Sequence, residues 1–169
     1  MFRVGDVVLY TASTICRIDD ITTKDFCGQE AEYYVLRPLY DENATIYIPT
    51  NNANLLGKMR SILSKDEVLH LIHILPQTDM IWIEDEHKRK EVFQKIMESG
   101  DRYELLKLIK TLYLYQKDRL QQNKRKMHVS DERFLKDAEK LILDEFAYVL
   151  GIAPSKVGDF INHELAMEA

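Results

Sequence analysis

Two cysteines, Cys16 and Cys27, are all that this 169-residue chain carries. They are too few for a disulfide framework and lie at no metal-ligand spacing, so the expectation is a pair of reduced, partly buried thiols. Its six glycines are scattered, and none gathers with others into a loop that cradles phosphate. There is no Gly-x-Ser-x-Gly turn, and neither cysteine has a histidine nearby to activate it. His70 and His73 stand three apart on an expected helix, but no carboxylate sits at a matching position to complete a metal site. No apolar run reaches the roughly 18 residues that span a bilayer. The opening MFRVGDVVLY lacks the basic-then-apolar layout of a secretory leader and already has the pattern of a strand. These absences point away from an enzyme, a metalloprotein or a membrane protein. A cytoplasmic binding protein without a cofactor is expected.

What is present is a globular composition, 46% hydrophobic and 30% charged, with a net charge of −5. The charge is not spread evenly. Residues 1–85 carry 7 basic and 13 acidic side chains, residues 86–126 carry 12 and 6, and residues 127–169 carry 4 and 9. One basic block therefore lies between two acidic ones. It either faces phosphate or neutralises its neighbours on folding, and charge alone leaves both readings open.

The pattern of the chain divides it in two. VVLYTA, TICRIDDIT, EYYVLRPL and TIYIPT are short runs rich in Val, Ile, Thr and Tyr, separated at Gly5-Asp6, around Gly28 and at Asp41-Glu42-Asn43. Four or five short antiparallel strands would leave open edges in a flat sheet, so a small twisted barrel is expected. Beyond Asn51 the period becomes helical. Ser64 is a candidate N-cap, Pro76–Met80 a linker, and a helix over about residues 84–99 is closed by Gly100. Asp101 caps the next helix, which ends near Gln121; Ser130 with Asp131 and Glu132 opens another, and a last one follows Pro154. The expected fold class is α+β: a β-barrel over 1–55, then an all-α unit over 60–169.

Three features carry a possible function. Trp82, the only tryptophan, precedes a helix that bears Lys88, Arg89 and Lys90. It either stacks on or wedges beside a base while the cations meet phosphate, or packs the linker onto the bundle. Lys124, Arg125 and Lys126 form a basic triplet suited to non-specific backbone contact or to plain solvation. Thr45–Ile48 and the turn around Lys24 offer either a docking edge or an ordinary strand.

The order of FRVGDVVLY, the Gly28 turn with EYYVLR, and TIYIP resembles the N-terminal module of the CarD family, shared with the transcription-repair coupling factor. ESGD, TLYLYQKDRL and SDERFLKDAEKLILDEFAYVLG resemble that family's helical domain. The resemblance implies a Tudor-like or SH3-like barrel that binds the β-subunit lobe of bacterial RNA polymerase. It also implies a helical domain that contacts promoter DNA at the upstream edge of the melted region and stabilises the open complex. Minor-groove and phosphate contacts with little sequence specificity would follow, from a monomer without membrane attachment. A polymerase-bound adaptor without DNA contact is the alternative.

By position, the family's polymerase-facing basic residue matches Lys24, and a second family arginine matches Tyr47. A tyrosine stacks and hydrogen-bonds but forms no bidentate salt bridge. Counting back from Ser99-Gly100-Asp101, the family tryptophan falls on Glu86, four residues after Trp82. Four residues are about one helical turn, roughly 6 Å, so Trp82 is expected on the same face. The family's basic pair matches Lys88 and Arg89.

Overall fold

The computed structural model describes residues 1–11 and 14–167, and it divides into two compact units, 1–62 and 63–169. The first unit contains β1 (Val7–Tyr10), β2 (Thr14–Phe26), β3 (Gln29–Pro38), β4 (Ile46–Pro49), α1 (Ala53–Leu56) and β5 (Met59–Ser61). Ala12, at the end of the first expected strand run, lies outside the described residues. The strands form one antiparallel sheet in the order β4-β3-β2-β1-β5.

The sheet is open, where a closed barrel was expected. β4 and β5 are its two ends, and no pairing joins them among the described residues. The hazard that argued for closure, long exposed edges, is met differently. The end strands are only four and three residues long, and short edges resist unwanted pairing without a barrel.

Alternation along the strands sends Val8, Cys16, Ile18, Leu36 and Ile48 into a common core closed by Met59. The register breaks once. Ile18 faces Leu36 and Asp20 faces Val35, which leaves Asp19 as an extra residue in β2. The bulge has an electrostatic use, because Arg17 and Arg37 stand directly opposite each other on β2 and β3. Asp19 accepts from Arg37 Nε at 2.7 Å and from Arg17 Nε at 3.0 Å. These bonds, Arg37's the larger, hold its carboxyl below the usual range.

Cys16 is fully buried and Cys27 exposed. Burial pushes the Cys16 thiol up to about 11. The unfolded chain releases this proton near its ordinary value of about 8.5, whereas the folded chain keeps it. Stability is therefore level below that value and falls as pH rises towards about 11. Denaturant titrations at pH 8 and pH 10 should show this loss, and Cys16→Ala should flatten it. In native protein at pH 8, a thiol reagent should label Cys27 alone.

The second unit contains α2 (Lys65–Ile74), α3 (Glu86–Ser99), α4 (Arg102–Gln121), α5 (Val129–Leu150) and α6 (Val157–Met167). Ser64 and Glu67 close a reciprocal capping box on α2, and Asp85 and Asp101 cap α3 and α4. Gly100 and Gly151, both at positive φ, stop α3 and α5 where a β-carbon would be strained. Ser130 is not a cap. His128 holds the N-cap position of α5, and Ser130 Oγ lies buried within the first turn without a hydrogen-bond partner among the described residues.

Phe93, Leu105, Leu108, Leu112, Ala138 and Phe146 are buried in this unit. The segment expected as a linker is pinned. Lys110 Nζ donates to the carbonyls of Leu75, Pro76 and Thr78 at 2.7–3.1 Å, and Ile81 N–H donates to Thr111 Oγ1 at 3.0 Å. No described helix is long and apolar enough to cross a membrane.

Candidate functional site

On the sheet, β2 and β3 are joined by the two-residue turn Cys27-Gly28, with φ of 58° and 81°. Positive φ at both central residues suits the right-handed twist of a hairpin. The long hairpin carries Lys24 opposite Ala31 on β3. That small residue leaves the lysine a path towards β4 on the far side of β3. Lys24 Nζ donates to Tyr47 Oη at 3.0 Å and lies 4.5 Å from the centre of the Tyr47 ring. The two residues singled out in the sheet-bearing unit thus meet across three strands.

Around them is an aromatic group that the sequence reading missed. Phe26 lies edge-on to Tyr33 at 5.1 Å and to Tyr47 at 5.7 Å, and Tyr33 meets Tyr47 at 6.4 Å. Phe26 nevertheless keeps 45% of its surface exposed. Strand alternation was the available signal: Lys24 and Phe26 are two apart on β2, and the register brings Tyr33 to the same region. Together they form an exposed aromatic patch with one lysine, next to the free edge of β4. Aromatic anchors beside a charge are the usual makings of a protein-binding hot spot.

In the helical unit the predicted residues do not share one environment. Trp82 is half-buried and precedes α3, which starts only at Glu86 behind its cap Asp85. It is therefore not one helical turn from Glu86, and the expected shared helix face does not exist. Its position is set by stacking: Tyr115 lies parallel at 3.8 Å, and the Arg89 guanidinium sits 4.4 Å from the ring centre. Its indole N–H donates to Glu84 at 3.1 Å. Glu86 pairs with Lys90 at 2.8 Å, and that bond, with His128 nearby, holds its carboxyl below the usual range.

Arg89 is corrected by its burial. It is 2% exposed, and its Nε and Nη2 make a paired bond to Asp131 at 3.1 and 2.9 Å. Nη1 donates to the carbonyls of Ile83 and Glu84. A guanidinium so enclosed is closed to phosphate; it is an internal brace that fixes the chain on which Trp82 sits. Lys88, by contrast, is exposed, and its ammonium has no partner among the described residues. Lys124, Arg125 and Lys126 are also exposed, in the loop between α4 and α5. His73 pairs with Glu164 at 3.2 Å while His70 is exposed. Among the described residues no three His, Cys, Asp or Glu side chains gather as metal ligands.

Comparison with known proteins adds two findings. The family model described as CarD-like/TRCF RID domain matches residues 2–63, almost the whole of the sheet-bearing unit. A relative named "Putative transcription factor YdeB", from Bacillus subtilis (strain 168), is 22% identical over 160 residues. That alignment covers 95% of this chain and 99% of the relative, so both units are included.

Proposed function

We propose that this chain, whose first unit matches the CarD-like/TRCF RID domain and whose full length aligns with a relative named as a putative transcription factor, is a CarD-like, non-catalytic transcription regulator with two contacts. The sheet docks on the β-subunit lobe of bacterial RNA polymerase through Lys24, Tyr47 and the aromatic residues beside them. The helical unit then contacts promoter DNA at the upstream edge of the bubble and stabilises the open complex. The observation that carries this reading is the assembled Lys24–Tyr47 pair on an exposed aromatic patch beside a free strand edge.

The net charge of −5 does not oppose it. A chain tethered to polymerase meets DNA at a high effective concentration, so the second contact can be individually weak. Lys88 and the triplet Lys124, Arg125 and Lys126 supply phosphate contacts, and Trp82 supplies the aromatic surface. About 1.4 kcal/mol of preferential binding changes the occupancy of a scarce open complex tenfold. The braced, stacked state of Trp82 and the burial of Arg89 favour a second reading, a polymerase-bound adaptor that leaves DNA alone.

Affinity for polymerase, measured with and without a pre-melted promoter fragment, separates the two. The DNA-contact reading expects the fragment to tighten binding, and Trp82→Ala to remove about tenfold of that gain, the worth of one stacked base. Lys88→Gln, which leaves the fold untouched, should lower the salt dependence by about one ion. Equal affinity with and without the fragment would establish the adaptor.

A further inference from the structure

Where α4 ends and the chain turns back into α5, Arg119, Leu120, Lys124, Lys126, Met127 and Glu132 line a cavity of about 140 Å³. The backbone builds it. Asn123 takes a positive φ of 51°, and Lys124 N–H returns to the carbonyl of Arg119 at 3.1 Å. This reversal folds the basic loop against the helix that carries the arginine. Three cations thus share a small space with a single carboxylate.

Their partners are the telling feature. The Lys124 and Lys126 ammonium groups have neither an ion pair nor a hydrogen bond among the described residues, Glu132 included. Arg119 is held in place by a neutral group: its Nε and Nη2 both donate to the Tyr115 hydroxyl. That leaves Nη1 unengaged among the described residues and the guanidinium charge uncompensated. Tyr115 is itself fixed by its stack on Trp82. An arginine pre-oriented in this way loses little freedom when it binds a planar or tetrahedral oxyanion.

We propose that this cavity is a phosphoryl-binding subsite anchored by Arg119, with Lys124 and Lys126 as its other cations. The volume is well below the roughly 300–1,000 Å³ of pockets that enclose whole ligands, so it takes one phosphoryl group and not a complete nucleotide. Entry of the anion relieves the repulsion among the three cations, and Glu132 lowers but does not cancel the net positive charge of the lining. The group comes either from a DNA backbone or from the end of a free nucleotide. The inference deepens the phosphate-contact reading of Lys124 and Lys126, but it stands on the cavity and its cations and not on the polymerase contact.

Inorganic pyrophosphate is the probe. Calorimetric titration of the full chain should give saturable, salt-sensitive binding. Arg119→Gln and Lys126→Gln should each weaken it about tenfold, while Lys95→Gln, outside the cavity, leaves it unchanged. Lys126 is exposed on the loop, so its variant keeps the test valid if Arg119→Gln disturbs Tyr115. Displacement by a short duplex assigns the group to a DNA backbone, and displacement by ATP alone assigns it to a free nucleotide. Absence of binding, binding that neither variant weakens, or binding that neither competitor displaces would overturn the proposal.

Discussion

Asp131→Ala should destabilise the helical unit by about 3–5 kcal/mol, the usual cost of stranding one partner of a buried ion pair. The pair is enclosed on both sides, with side-chain exposures of 3% for Arg89 and 0% for Asp131. Without the carboxylate, the guanidinium keeps only the carbonyls of Ile83 and Glu84 and holds an uncompensated charge inside the fold. Denaturant unfolding measures the loss. The sole tryptophan reports its local consequence, because Arg89 lies against the Trp82 ring. Loosening that contact should move the indole emission to the red in the still-folded protein. Replacing both partners, as Arg89→Met with Asp131→Leu, should recover most of the stability, since apolar residues of similar size commonly do as well as a buried pair. The pair then serves to place Trp82 and not to add net stability.

Glu145→Ala should cost about 3 kcal/mol by a related route. Glu145 is 1% exposed on α5, and its Oε1 and Oε2 accept Arg102 Nη2 and Nε at 2.8 and 2.9 Å. Its Oε1 also accepts the Leu63 N–H at 3.0 Å, which ties the start of the unit to the middle of α5. Alanine removes all three bonds and leaves the half-buried Leu63 N–H without its acceptor, an added penalty of at most about 1 kcal/mol. Arg102, 14% exposed on its side chain, can reach water, which keeps the total near the lower end of the buried-pair range. Glu145→Gln retains an acceptor for Leu63 and should lose clearly less in the same unfolding experiment.

These two carboxylates show how far the sequence can be read. Asp131, Leu135, Ala138, Ile142 and Glu145 recur at helical spacing, so both acids lie on the apolar stripe of α5 and their burial was visible in the period. Arg89 lies on the same stripe as Phe93 and Ile96. Its place in the run Lys88-Arg89-Lys90 suggested a phosphate contact, whereas its spacing from Phe93 and Ile96 is that of a core position, a signal the sequence reading passed over. Helix ends were legible because capping is local: Ser64, Asp101, Gly100 and Gly151 act within four residues of themselves. Ser130 misled because a serine ahead of two acids also occurs within the first turn of a helix.

Strand β5 was invisible for a different reason. Three residues carry no period, and Met59–Ser61 is a strand only because β1 pairs with it across the sheet. Barrel closure failed as an expectation for the same non-local reason: whether two edges meet depends on strand length and twist. On the sheet, Lys24 and Tyr47 were singled out by resemblance, while the aromatic group around them needed the register of β2, β3 and β4. Tyr115 and Arg119 were passed over because a stack on Trp82 across 33 positions leaves no trace in local pattern.

The proposed contact between the sheet-bearing unit and polymerase runs through the Lys24–Tyr47 region. Binding of the purified full chain to its cognate RNA polymerase, wild type beside Lys24→Glu, tests it most directly. Lys24 is exposed and outside the core, so the reversal leaves folding intact while it inverts the charge presented and removes the contact with Tyr47. Clear binding by the wild type and at least about tenfold weaker binding by the variant are expected. No binding by the wild type, or equal binding by both, would contradict the proposed contact.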